Sequence, residues 1–229
     1  MESPDLELFE NVELKMAAVD ALDELMKQTS LDRLSVSKIC ETAGISRATF
    51  YRHFKDKFSI VQWFIKFIHS QSTNEIGRTL SWYEGYYTSE LTIANRRSFF
   101  SNAAKSKDYN SLDMFIPRYR REVLTTTLTD YHGIKIDEHL RFLVRATVEM
   151  EIHMLPTWHY GKLDCTLEEA CRWLTECIPR ELFEMLDTPV KPQAELPLRT
   201  RNGRIGSGAV FNPSGYRHTK FTNANPPQR

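Results

Sequence analysis

Long hydrophobic runs are missing from this chain. No apolar stretch approaches the roughly 18 residues that a membrane span needs, so a bilayer partner is not expected. The opening residues, MESPDLELFE, are acidic and hold no apolar signal-peptide core, so export is not expected and a cytoplasmic location is. Cysteine is scarce. Cys40, Cys165, Cys171 and Cys177 in 229 residues do not make a disulfide framework, and a reducing compartment suits them. No strand-like alternation of any length and no internal repeat occurs. A phosphate-cradling glycine loop is lacking too, because GRIGSG at 203–208 has neither a strand before it nor a helical pattern after it.

These gaps extend to catalytic chemistry. Cys165, Cys171 and Cys177 recur every six residues, and six helical residues turn through about 600°, which scatters them over three faces. A zinc site from them is not expected. His153 and His159 flank Pro156 and Trp158 in MEIHMLPTWHYGKLDC. That patch admits a ligand or metal role, but a packed interhelical turn is the commoner meaning of such a composition. With no nucleophile–base pair and no ligand set, neither an enzyme nor a cofactor or metal is expected.

What is present is an ordinary soluble composition with an uneven charge. Apolar residues make up 41% and charged residues 26%, as in globular domains, and the length covers one large or two small domains. Thirty basic and thirty acidic residues cancel to a net charge of +0, yet the cancellation is not local. Residues 33–57 carry six Lys or Arg against two acids, +4, and residues 188–229 carry +6, which leaves about −10 for the rest. A basic module on an acidic body suits a DNA reader whose body must not stick to the duplex.

Helix follows helix along most of the chain. Asp56 can cap a helix from Lys57 to about Glu75, with Gly77 as its stop. The periodicity predicts further helices over Thr88–Ser106 and from near Pro117, placed in a first turn, to Gly133. Asp137–Leu155 is apolar on several sides: Leu140, Leu143, Val144, Thr147, Met150 and Met154 on one, Phe142, Ala146 and Val148 on others. Such a helix is expected to be buried on several sides. Thr166-Leu-Glu-Glu169 is a capping box opening a helix that presents Leu167, Ala170, Cys171, Leu174, Cys177 and Ile178, which Pro179 then breaks. Residues 188–229, rich in Pro, Gly and Asn, are expected to be a disordered basic tail, either a solvated appendage or a source of non-specific phosphate attraction.

The most informative stretch is SVSKICETAGISRATFYRHFKDK, residues 35–57. Ser35 and Ser46 are N-cap residues, each opening a short apolar-periodic segment. Gly44 stands where the chain must reverse, a place for positive φ. Phe50 and Phe54 give the second helix, about 46–53, an inward stripe and leave its polar and basic residues outside. A short helix with such an outer face is the geometry that enters a major groove. Arg47 can fork onto guanine, Ala48 can touch a thymine methyl, Thr49 can meet a base or a phosphate, and Arg52 lies one turn on. Ser35 and Ser37 would fix register on the backbone, while Ser35 and Ser46 are equally explained by capping.

ALDELM followed by LSVSKICETAGISRATFYRHFKDKFSIVQWF resembles the amino-terminal domain of TetR-type bacterial transcriptional regulators, and most of all the branch that includes regulators of dihydroxyacetone kinase. The likeness covers about residues 10–68. Gln28, Thr29 and Ser30 stand where many members end the first helix with Gly. The resemblance implies an all-α protein: a three-helix helix-turn-helix domain over 1–57, and a helical bundle for dimerisation and effector binding over 58–187. It implies that Tyr51, His53 and Lys57 hold phosphates, Lys57 with helix-terminus attraction, and that the last long helices pair with a second subunit. A homodimer would then read a palindrome with half-sites about one helical turn apart.

An effector pocket is implied as well, with Trp63, Trp82, Tyr83, Phe99, Phe100, Phe115, Tyr119 and Trp158 as lining candidates. Aromatics at helical spacing are more often plain core. Control by a partner protein in place of a small molecule is the other option that the branch suggests. The expected function is a sequence-specific, dimeric transcriptional repressor released from its operator by an effector. The competing reading is a coregulator that acts through a partner protein and touches DNA weakly.

Overall fold

The computed structural model describes residues 4–108, 110–159 and 162–187. The tail at 188–229, with its GRIGSG segment, lies outside the described residues, and so does the side chain of His159. The described residues are helical without a strand, apart from a single bridge between Ile76 and Leu80. None of their helices is long and apolar enough to cross a membrane.

The reader comes first. Helices α1 (Pro4–Phe9) and α2 (Val12–Met26) lead to a 3-10 turn at Leu31–Arg33, then α3 (Val36–Ala43), α4 (Arg47–His53) and α5 (Lys57–His69). Without a glycine, α2 ends on Lys27 in right-handed conformation, and bonds from Gln28 and Thr29 back to the Leu25 carbonyl close the turn. Ala18, Val19 and Leu22 of α2, Ile39 of α3, Phe50 of α4 and Ile60 of α5 form the centre of one apolar core.

The body follows as α6 (Trp82–Asn95), α7 (Arg97–Ala103), α8 (Leu112–Thr126), α9 (Glu138–His159), α10 (Leu167–Glu176) and α11 (Arg180–Leu186). Several boundaries differ from expectation. Helix α5 stops at His69, and Gly77 (φ 77°) turns the chain after a separate 3-10 turn. The helix expected over 88–106 begins six residues earlier, because Ser81 and Glu84 close a capping box, and it breaks at Arg96 into α6 and α7. Pro117 sits inside α8, not in its first turn; Ser111 precedes that helix and a π turn at Thr127–Tyr131 follows it. Pro156 likewise lies inside α9.

Helix α9 is not buried all round. Leu140, Val144 and Val148 enter the second core with Trp82, Tyr86 and Leu174, but Phe142 is 67% and Met154 44% exposed. Apolar side chains lie on two faces of this helix, and the chain itself covers only one of them. In α10 the Thr166–Glu169 box closes as expected. Ala170, Cys171, Leu174 and Ile178 are buried, whereas Cys177 is exposed. Pro179 ends that run and opens α11. The first core runs from the reader into the body, taking in Phe99, Phe100, Ala103, Leu112 and Phe115.

Gly85 marks the tightest approach in the body. A Cβ built there would lie 2.3 Å from Cγ1 of Ile76, closer than atoms of a packed core can come. Gly85→Ala is therefore expected to cost about 1–3 kcal/mol, read as a lowered urea midpoint. Adding Ile76→Val should recover part of the loss.

Candidate nucleic-acid interface

The reading unit is built from local signals. Ser35 Oγ accepts from Lys38 N at 3.2 Å and Ser46 Oγ from Thr49 N at 3.0 Å, so each serine satisfies one of the orphan donors at a helix start. Between the helices, Gly44 adopts φ 67° and Ile45 N donates to the Cys40 carbonyl at 3.0 Å, a left-handed cap that reverses the chain. Phe50 and Phe54 are buried and in ring contact with each other. They fix the rotation of α4 and thereby choose which residues face out.

The outward set is Arg47, Ala48, Tyr51 and Arg52, all exposed, with Ser35, Ser37 and Ser46 exposed beside them. Thr49 is half-buried and its hydroxyl shares a 2.9 Å hydrogen bond with Ser46. Arg47 is held in place. Its Nη1 donates to Ser37 Oγ at 2.6 Å and its guanidinium lies 5.9 Å from the centre of the Tyr51 ring. His53 is half-buried and its pKa lies below the usual value, through burial first and then Lys15 and Arg52. A neutral ring donates one hydrogen bond to a phosphate without adding charge.

Lys57 is placed differently from the others. Its Nζ donates to the carbonyls of Asp32 (2.6 Å) and Leu34 (2.9 Å), which fastens the loop before α3 to the start of α5. One ammonium hydrogen remains for a phosphate. Three exposed cations on the same segment, Arg33, Lys38 and Lys55, are absent from the expected set. The local charge of +4 counts them, but helix position alone gave no reason to select them. Lys38 is shared with Glu41 at 3.0 Å.

Residues 18–62 match the family described as "Bacterial regulatory proteins, tetR family", and they hold the helix pair just described. The helix-turn-helix unit is thus of the TetR type. A likeness of fold to a solved structure extends beyond the reader. The dihydroxyacetone kinase operon activator DhaS is similar at 15% identity with a TM-score of 0.53, over 78% of this chain and 100% of that one. The TetR family repressor AlkX from Dietzia sp. Strain DQ12-45-1b has 15% identity and a TM-score of 0.46, over 74% of this chain and 98% of its own. A TetR regulator from Rhodococcus sp. RHA1 has 17% and 0.42, over 74% and 99%. Comparison with curated proteins finds no match.

The body contains a cavity of about 430 Å³. Of the eight aromatics considered as lining, Phe100 borders it; Trp82 and Phe99 are fully buried core, and Trp158 borders a second cavity of about 60 Å³. The larger one is bordered mainly by aliphatic side chains and by a buried group comprising His69, Thr73, Tyr86, Arg120 and Glu151. These lie on α5, α6, α8 and α9 and on the 3-10 turn between α5 and α6, so their meeting could not be read from any one segment. The cysteines are not brought together: Cys171 is buried, with its thiol pushed up to about 12 by burial and then by Glu90 and Glu168, while Cys177 is exposed. His153 is exposed on the cavity's rim.

His69 gives the fold an acid-sensitive point. Burial, helped by the Arg120 charge, lowers its pKa from 6.5 to about 3. Between those values the unfolded chain takes up a proton that the native ring refuses. Stability is therefore fully present above pH 6.5 and falls as the pH drops toward 3, at up to about 1.4 kcal/mol per pH unit. Denaturant melts of wild type and His69→Leu across this range should show a flatter pH dependence in the variant.

Proposed function

We propose that this chain is a dimeric repressor that binds a palindromic operator and releases it when a small effector occupies the cavity of the body. One observation supports the DNA reading above the rest: α4 is anchored by Phe50 and Phe54 while Arg47, Ala48, Tyr51 and Arg52 face out together. On this reading Arg47 contacts guanine, Ala48 a thymine methyl, and Thr49 and Arg52 a base or the backbone. Tyr51, His53, Lys57, Ser35, Ser37 and Ser46 hold the sugar–phosphate backbone and fix register. Ser37 first orients Arg47 and then shares the duplex with it.

A dimer follows from reach. One seven-residue helix covers few base pairs, whereas two related by a dyad read half-sites about 34–36 Å apart. Met154 of α9 and Trp173 of α10, 44% and 45% exposed, border the same small cavity and supply an apolar face for a partner subunit. Repression is the economical mode, since a reader seated at a promoter excludes polymerase by occupancy. The site of action is the cytoplasm, where the DNA is.

Selection of bound duplexes from a random library at about 0.15 M salt tests the proposal, with enrichment of a palindrome as the expected result. Arg47→Ala should then weaken binding to the enriched sequence by about 1–3 kcal/mol and relax preference at one base pair per half-site. A coregulator acting through a partner protein would yield no enriched sequence and would keep its activity in that variant. Trp173→Glu should turn the dimer into monomer in sedimentation equilibrium and reduce operator affinity at least about tenfold, because one half-site contact is then lost.

A further inference from the structure

The cavity in the body has two chemically different ends. Its rim carries exposed side chains, Arg97, Asp113 and His153. Its walls are aliphatic, with Ile65, Ile93, Ile116 and Leu155 among them. Its inner end is polar and buried, and most of that polarity is already satisfied. Arg120 donates from Nε and Nη2 to Glu151 (2.9 and 3.1 Å) and from Nη1 to the Thr73 carbonyl (2.8 Å). Tyr86 donates to the same carboxylate at 2.7 Å.

Two lining groups stand apart from this network. His69 Nδ1 and Thr73 Oγ1 are buried and have no hydrogen-bond partner among the described residues, although both side chains are more than nine-tenths buried. Leaving such atoms unmatched is costly, so each calls for an explanation. The helix backbone adds to the imbalance. Pro117 and Pro156 have no N–H to give to the carbonyls of Asp113 and Ile152 four residues earlier, and all four residues line the cavity.

Charge narrows what could fill this space. Burial and Arg120 keep His69 neutral near pH 7, so this end already rejects a positive charge. An anion would meet the carboxyl groups of Glu151 and Glu90, both buried at the cavity, beside an Arg120 whose charge Glu151 already matches. A charged head group would give up its hydration and find no ready counterpart. A hydroxyl matches what is there: it can donate to an imidazole nitrogen or a carbonyl and accept from a threonine hydroxyl. The volume, about 430 Å³, lies within the range of about 300–1,000 Å³ usual for small-molecule sites.

We propose that the cavity binds an uncharged, mainly aliphatic molecule whose hydroxyl group is held by His69 and Thr73. This ligand class rests on the reading of the cavity as the effector's seat.

Octanol, octanoate and octylammonium, titrated calorimetrically into the full chain near pH 7, separate the three head-group charges on one tail. Octanol is expected to bind at least about tenfold more tightly than either ion, and Thr73→Val and His69→Leu should each cut its affinity several-fold. Circular dichroism confirms that each variant is folded; Thr73→Val, which changes one hydroxyl for a methyl, carries the test if His69→Leu is not. Equal binding of all three probes, preference for an ion, no binding of any probe, or undiminished octanol affinity in folded Thr73→Val would each overturn the ligand class. Octanol titrated into the protein bound to its selected duplex then tests the other reading separately. Binding that leaves the DNA in place removes effector release and keeps the ligand class. DNA binding by a chain that takes none of the probes removes the ligand class and keeps the regulator.

Discussion

Arg120 and Glu151 are the constraint on which the body depends. Both are almost wholly buried, and a charge taken from water survives there only beside its opposite with further hydrogen bonds around it. The pair has two bonds to each other, one from Arg120 to the Thr73 carbonyl and one from Tyr86 to Glu151. Helix α8 is thereby fixed to α9, and both to α6 and to the turn that follows α5. Removing one partner leaves the other charged and dry, a loss of about 3–5 kcal/mol. The mutual pairing that stabilises these charges leaves them less to offer a ligand, and on the proposed reading the neutral His69 and Thr73 beside them hold it.

Local signals in the sequence translated into structure, and distant ones did not. Ser35, Ser46, Asp56 and Thr166 cap helices as their positions imply, because a cap is a bond between residues three apart. Gly44 turns the chain for the same local reason. Arg120 and Glu151 are 31 residues apart, and the sequence around each reads as an ordinary charged helix surface. Only packing shows that these two charges are inside. The start of α6 is legible in principle, since Ser81 and Glu84 have capping-box spacing, but the two bulky aromatics between them fit a core pattern equally well.

The prolines show a different limit. A proline at 117 reads naturally as a helix start, because the first turn needs no N–H from it. In the folded chain Ser111 and Leu112 begin α8 earlier, and the burial of Leu112, Phe115 and Leu124 along it outweighs one missing backbone bond. The mismatch is spent at the cavity, where Pro117 and Pro156 both lie. Phe142 and Met154 are the mirror case. Apolarity on several faces of α9 implied burial, yet a single chain leaves those two side chains in water, and a hydrophobic pattern does not say whether its cover comes from the same molecule.

Helix α7 and its flanking residues link the cavity to the reader. Phe100 borders the cavity and stacks on Phe64 of α5. One residue before the helix, Arg96 pairs with Asp20 and Asp23 of α2 at 2.8 and 3.3 Å, and Asn102 donates to the Met26 carbonyl at 3.3 Å. Just beyond it, the Ser106 hydroxyl bonds the Asp32 carboxylate, whose own backbone carbonyl holds Lys57. A cavity occupant that shifts α7 therefore acts on the C-terminal half of α2 and on the loop that positions α3. Occupancy alone changes nothing, since a ligand bound equally well in both arrangements leaves their ratio as it was. Release of DNA requires that the ligand prefer the arrangement with α7 displaced, and a preference of about 1–3 kcal/mol is a shift of about 5–150-fold in operator affinity. Arg96, tied to two carboxylates on α2, is the point where that preference would be transmitted or lost.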